Sequence, residues 1–198
     1  DKYIPVSLPY LLRTPSHILT TEAVALLMDR LVQDREWLEE YPKAPASLVR
    51  KLAPALADNT RLRMFIFTRW VLVMVHFERA LYADPEGDLD RIWWQLVEKY
   101  QFVAPPDGRE NQPDWATKTH IALSPVYYHN YLLGELMASQ LEAGIRSAGP
   151  RVSRSAGDFL RERLFALGAQ HDWQETVKHA TGAPLTPNLW AHQLTIGG

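Results

Sequence analysis

Cysteine is absent from this 198-residue chain, which excludes disulfides, thiol nucleophiles and cysteine-based metal sites. No block of basic residues occurs, and 21 Lys and Arg against 23 Asp and Glu leave a formal net charge of -2. A nucleic-acid partner is therefore not expected. No apolar run is long enough for a membrane span: the strongest, residues 64–77, is short and is interrupted by Thr68 and Arg69. No leader-like segment, internal repeat or low-complexity tract is visible, and no stretch alternates apolar and polar residues at the period of a strand. The metal-binding pattern H-E-x-x-H is also missing; His76-Phe77-Glu78 has the wrong spacing.

What is present is an ordinary globular balance, 46% hydrophobic and 22% charged, in a chain long enough to bury one sizeable core. The patterning reads as all-α. Pro5 and Pro9 predict an extended lead-in over residues 1–13. Thr14-Pro15 predicts a helix start, with the helix running to Tyr41 before Pro42 and Ile18, Leu19, Ala25 and Leu26 on its apolar face. A short helix over 44–57 follows, with Pro54 as a kink, and Asp58-Asn59-Thr60 reads as a break. Residues 61–82 then form a helix that is apolar on all sides in its middle and so expected to be buried, with His76 as a core histidine. Asp88 is placed to cap a helix over 89–100, and the proline-rich stretch 101–117 reads as a long loop. Ser124 and Pro125 suit the N-cap and first position of a helix reaching Arg146. Three shorter helices are expected over 155–167, 172–181 and 187–194, with Gly168 and Gly182 at C-terminal caps.

Two places carry candidate chemistry. In the first, Lys118 and His120 precede that Ser-Pro helix start, and Tyr128 and Tyr131 are spaced to share one face. An ammonium, an imidazole, two phenols and the partly positive start of a helix would suit a carboxylate or a developing oxyanion. The plain alternative is a pair of core tyrosines with wet hydroxyl tips and a solvated lysine. The second place is Glu22, a carboxylate within the apolar face of the first helix. Such a group needs a counter-charge, hydrogen bonds or a metal; an ion pair with Arg69 or Arg79 is the structural alternative.

Three segments, in order, resemble one known family. Lys118-x-His120, a short spacer and Tyr128-x-x-Tyr131 are similar to the stretch that follows the zinc site in angiotensin-converting-enzyme-like peptidyl-dipeptidases, which are gluzincin metallopeptidases. Trp93-Trp94-Gln95-Leu96-Val97-Glu98-Lys99-Tyr100-Gln101, running on to Pro105-Pro106, resembles the family's Trp-Trp-x-Leu-x-x-Lys-Tyr-Gln segment. Trp173-Gln174-Glu175-Thr176-Val177-Lys178, ending at Gly182, resembles a late helix of the same family. Pro5-Val6-Ser7-Leu8 ahead of Glu22-Ala23 also resembles the link between the family's two metal-binding helices. The resemblance implies an all-α helical bundle forming one half of a gluzincin-type catalytic domain with a substrate cleft. Glu22 would be the third ligand of one zinc ion, and Lys118 and Tyr128 would hold the C-terminal carboxylate of a peptide substrate. His120 would bond the substrate backbone, and Tyr131 would donate to the oxyanion.

Counting back from Glu22 by the family's spacing puts H-E-x-x-H upstream of Asp1. The resemblance therefore implies that residues 1–198 are the downstream part of one catalytic domain. Its partner would be the upstream half, and the chain alone would not hydrolyse peptides. Some positions depart from the family pattern. Leu26 stands where an aspartate orients a zinc histidine, and Val97 and Asn130 stand where chloride-binding arginines occur. These departures support an alternative expectation: a non-catalytic helical relative that binds peptides or proteins.

Overall fold

The computed structural model describes residues 2–195. Among them no strand occurs, and nine α-helices follow one another: α1 (Ile18–Asp29), α2 (Arg35–Glu40), α3 (Ala46–Ala83), α4 (Leu89–Gln101), α5 (Thr119–Leu123), α6 (His129–Ala148), α7 (Arg154–Arg163), α8 (Trp173–Thr181) and α9 (Asn188–Thr195). The protein is all-α, as its patterning predicts. No helix among the described residues is long and apolar enough to cross a membrane. The chain divides into two compact units, one of Asp1–Arg61 with Leu133–Gly198, the other of Leu62–Leu132.

In the first unit, α1, α6, α7 and α8 enclose a core of Leu19, Ala23, Leu27, Met137, Leu141, Leu160 and Val177. Small residues let these helices approach. A Cβ on Gly134 of α6 would stand 3.0 Å from the Glu22 Cβ, and one on Gly144 would stand 2.5 Å from the Phe159 ring. Gly168 has φ +52, and a Cβ there would lie 2.4 Å from the Leu12 carbonyl oxygen. The lead-in is tied to this position by the Ala169 N–H, which donates to the same carbonyl at 3.0 Å.

Several buried charges of this unit form one ionic network. Arg30 meets Glu135 at 2.6 Å and Glu142 at 3.0 Å. Its guanidinium also donates to the Ser139 hydroxyl. Arg151 pairs with Asp34 at 2.8 Å and with Glu142. Burial pulls the Arg151 guanidinium below its ordinary value, and Asp34 opposes that pull. These charges sit at 12% side-chain exposure or less, where breaking a pair leaves an uncompensated charge.

The second unit is aromatic. Val73, Met74, Phe77, Leu89, Trp93 and Val97 are its buried centre, with Trp70, Trp115, Ile121 and Tyr128 packed against it. Trp93 is crossed edge-on by Trp70 at 5.7 Å and by Phe77 at 5.1 Å between ring centroids, the arrangement that ring quadrupoles favour.

Several sequence expectations are corrected. Instead of one helix to Tyr41, α1 ends at Asp29 and a 3-10 turn covers Arg30–Gln33. Asp34 then caps α2 by accepting from the Trp37 N–H at 2.9 Å. The buried face of α1 is Leu19, Thr20, Ala23 and Leu27, while Ile18 and Ala25 are exposed. No break occurs at Asp58-Asn59-Thr60: α3 runs unbroken through Pro54 and this cluster. The Thr60 hydroxyl bonds back to the Leu56 carbonyl at 2.8 Å, and Asp58 pairs with Arg61 one turn on. Polar residues that favour turns are thus satisfied within the helix. The long helix is not buried all round, since Leu62, Phe65 and Ile66 are exposed. His76 is exposed as well and stacks on the Tyr100 ring. The expected cap at Asp88 is present, and Asp172 caps α8 in the same way, each accepting from the amide three residues on; Gly182 ends α8 in the left-handed region at φ +82.

Candidate functional site

Lys118, His120, Tyr128 and Tyr131 all fall in the second unit, and the structure gathers them around one aromatic wall. Residues 101–117 form the expected connection, tightened by a 3-10 turn at Asp114–Thr117. Lys118 follows this turn and directly precedes α5, which carries His120. The chain then reverses and reaches Tyr128 just before α6 and Tyr131 within its first turn.

The reversal corrects the expected helix start. Ser124 and Pro125 do not cap a helix; Val126 takes a left-handed φ of +55, and α6 begins only at His129. The cause is Glu78 of α3, whose carboxylate accepts the Val126 N–H across 48 residues of sequence. Glu78 is buried, so it fixes the turn that presents the two tyrosines. Sequence reading did not single it out for this role, because the bond depends on tertiary placement. The Ser-Pro amides accordingly offer no helix N-terminus to an anion.

The polar tips of the cluster are specific. His120 Nε2 and the Tyr131 hydroxyl lie 3.1 Å apart. The His120 ring meets the Tyr128 ring edge-on at 4.9 Å, and Tyr128 meets Tyr131 at 5.1 Å. Phe67 closes against Tyr131 at 5.8 Å. The Trp70 indole N–H donates to the Tyr128 phenol oxygen at 2.9 Å, so the Tyr128 O–H is left to donate elsewhere. Burial holds the Tyr128 phenol above its ordinary value, with the Trp70 bond opposing in part. Tyr128 therefore stays a neutral donor at physiological pH.

Lys118 is not a fully solvated lysine. It is half-buried, and its ammonium lies 5.4 Å from the Trp70 ring centroid and 5.7 Å from that of Trp93, within cation–π range. Lys118, Trp70, Trp93 and Trp94 line a cavity of about 370 Å³ together with Asp114 and Val97. The Trp94 indole nitrogen is buried without a hydrogen-bond partner. A hydrogen bond from Arg109 holds the Asp114 carboxyl below its ordinary range; desolvation opposes this, while the charges of Arg109 and Lys118 add to it. Trp70 is thus the residue that joins the two halves of the cluster, touching Lys118 on one side and Tyr128 on the other. The tryptophan itself is visible in the sequence, but its role is not.

Glu22 belongs to the first unit. It is half-buried on α1, at the place where Gly134 brings α6 closest. Among the described residues no group of three or more histidines and carboxylates is gathered as a metal ion requires. Catalytic zinc takes three protein ligands, so these residues do not by themselves make a zinc site. Leu26, one turn after Glu22, packs against the apolar core of its unit.

Comparison with known proteins adds no assignment: no protein-family model matches the chain, and no curated protein matches it.

Proposed function

We propose that this chain is part of a zinc-dependent metallopeptidase of the angiotensin-converting-enzyme-like kind, supplying the groups that bind a peptide's C-terminus and stabilise the reaction's charge. The observation that carries the reading is the His120–Tyr131 contact at 3.1 Å, with Tyr128 packed against both rings. A histidine and two tyrosines separated by a turn come together, and Trp70 links them to Lys118. Three segments resembling that family, in order along the sequence, favour this enzyme over a structural aromatic core.

In this reading the Lys118 ammonium and the Tyr128 O–H hold the substrate's terminal carboxylate. Trp70 and Trp93 cover one side of the lysine, and partial shielding from water strengthens its attraction for an anion. A His120 that donates from Nε2 to the Tyr131 oxygen orients that phenol. The Tyr131 O–H then donates to the oxyanion formed at the scissile carbonyl, and His120 also serves the substrate backbone. Glu22 is one of three zinc ligands, the other two being histidines of an H-E-x-x-H motif supplied from outside residues 1–198, and residues 1–198 alone are inactive.

The first test is calorimetric binding of a peptide with a free C-terminal carboxylate and of its C-terminal amide. The acid is expected to bind about tenfold more tightly, and Lys118→Ala should erase the difference. Equal affinity for acid and amide would end this assignment. Hydrolysis is tested on the gene product carrying H-E-x-x-H, where Tyr131→Phe should lower kcat by about a hundredfold or more with little change in KM.

One observation favours a second reading. Leu26 is packed into the core where the family has a metal-orienting aspartate, which suits a non-catalytic peptide-binding relative. That relative would pass the binding test, yet the same gene product would contain no stoichiometric zinc and show no hydrolysis.

A further inference from the structure

The first unit contains a second cavity, of about 510 Å³, opening between the lead-in, α1 and the α7–α8 region. Its walls are chiefly apolar: Ile4, Val24, Ala25, Leu164 and Phe165 all contribute. Lys2 is the one charged side chain among the lining residues, and it is exposed. The volume falls within the roughly 300–1,000 Å³ of small-molecule sites, which combine apolar walls with a few polar groups.

Two of its lining residues, Ser16 and Thr176, have buried hydroxyls with no hydrogen-bond partner. Thr176 is only 1% exposed. A helical threonine usually satisfies its hydroxyl on the carbonyl one turn back. Thr181 on the same helix does so, donating to the Val177 carbonyl at 2.8 Å, and Thr20 beside the cavity donates to the His17 carbonyl at 2.6 Å. Thr176 does not. A buried hydroxyl left unpaired is costly and calls for a partner.

We infer that this cavity binds a small, neutral, mainly apolar molecule carrying a carbonyl oxygen, which accepts from the Thr176 hydroxyl. Neutrality follows from the lining: its one cation, Lys2, is exposed, so a carboxylate set against the buried hydroxyls would lose its water without a buried counter-charge, at a large desolvation cost. Aliphatic or aryl ketones and amides meet both requirements.

The probe pair is benzylacetone and butylbenzene, which share a carbon skeleton and differ in the carbonyl oxygen. Binding to the full chain is followed by ligand-observed NMR titration. Benzylacetone should bind saturably at one site, and Thr176→Val should weaken it about three- to tenfold while leaving butylbenzene unchanged. Ala25→Trp, at an exposed edge of the cavity, should abolish binding of both; Thr21→Phe serves the same purpose if that variant fails to fold by circular dichroism. Absence of saturable binding, an equal effect of Thr176→Val on both probes, or benzylacetone binding that survives a folded cavity-filling variant would each overturn the inference.

Discussion

The two units handle buried polarity in different ways. The first unit gathers full charges, with Arg30 and Arg151 among Asp34, Glu135 and Glu142, and its core is otherwise aliphatic. The second unit relies on amphipathic rings, whose bodies fill the core while single polar tips meet: Trp70 to Tyr128, Trp115 to Asp90, His120 to Tyr131. In the ionic network the charged groups pair chiefly with one another. Where the Trp70 indole donates to the Tyr128 oxygen, the phenol O–H can still donate to a ligand, and the candidate site lies among these rings.

The sharpest way to break this contrast is to remove one member of each kind. Arg30→Met should cost about 3–5 kcal/mol in urea unfolding because two buried carboxylates lose a partner, and neutralising Glu135 as Gln in the same chain should recover part of it. Trp93→Ala should cost about 3–5 kcal/mol through its cavity, with no comparable rescue by neutralising a charge. If the Arg30 loss stayed whole in the double variant, the network would not be acting as a unit.

Gly168→Ala sharpens the account of how the first unit holds its lead-in. The added methyl meets the Leu12 carbonyl at a positive φ, so a loss of about 1–3 kcal/mol is expected, read from the urea midpoint. Gly157, where an added Cβ meets nothing within 4 Å, is the control; Gly157→Ala should hold or raise stability. Equal losses at the two glycines would show that the close approach does not matter.

The smallest effect concerns pH. Burial raises the Tyr128 phenol in the folded protein above its value in the unfolded chain. Below about pH 10, the ordinary tyrosine value, both states keep the proton and the stability is fully present. Above it the unfolded chain releases a proton that the folded chain retains, so stability falls as pH rises toward the folded value. Tyr128→Phe should flatten that alkaline decline in urea midpoints measured from about pH 9 upward. An unchanged slope would place the phenol in a wetter setting than its burial suggests.

Much of the helical layout was legible. The cap at Asp88 is local chemistry, since a carboxylate and an amide three residues on meet whatever surrounds them. The failures share one cause. Residues 58–60 look like a turn, yet Thr60 and Asp58 find partners inside α3. Ser124-Pro125 looks like a helix start, yet Glu78 captures the Val126 amide and turns the chain the other way. Of the candidate site, the four residue positions were readable, whereas Trp70 and Glu78, which set their geometry, were not.

The sequence alone determined that the protein is helical, because periodicity, caps and prolines act over a few residues. It also set which donors, acceptors and charges are on offer, since residue type is a local property. Only the tertiary structure decided that Lys118 lies against two indoles, that burial raises the Tyr128 phenol, and that Thr176 lacks a partner. Those outcomes depend on desolvation and on contacts between distant residues, neither of which leaves a periodic trace in the chain.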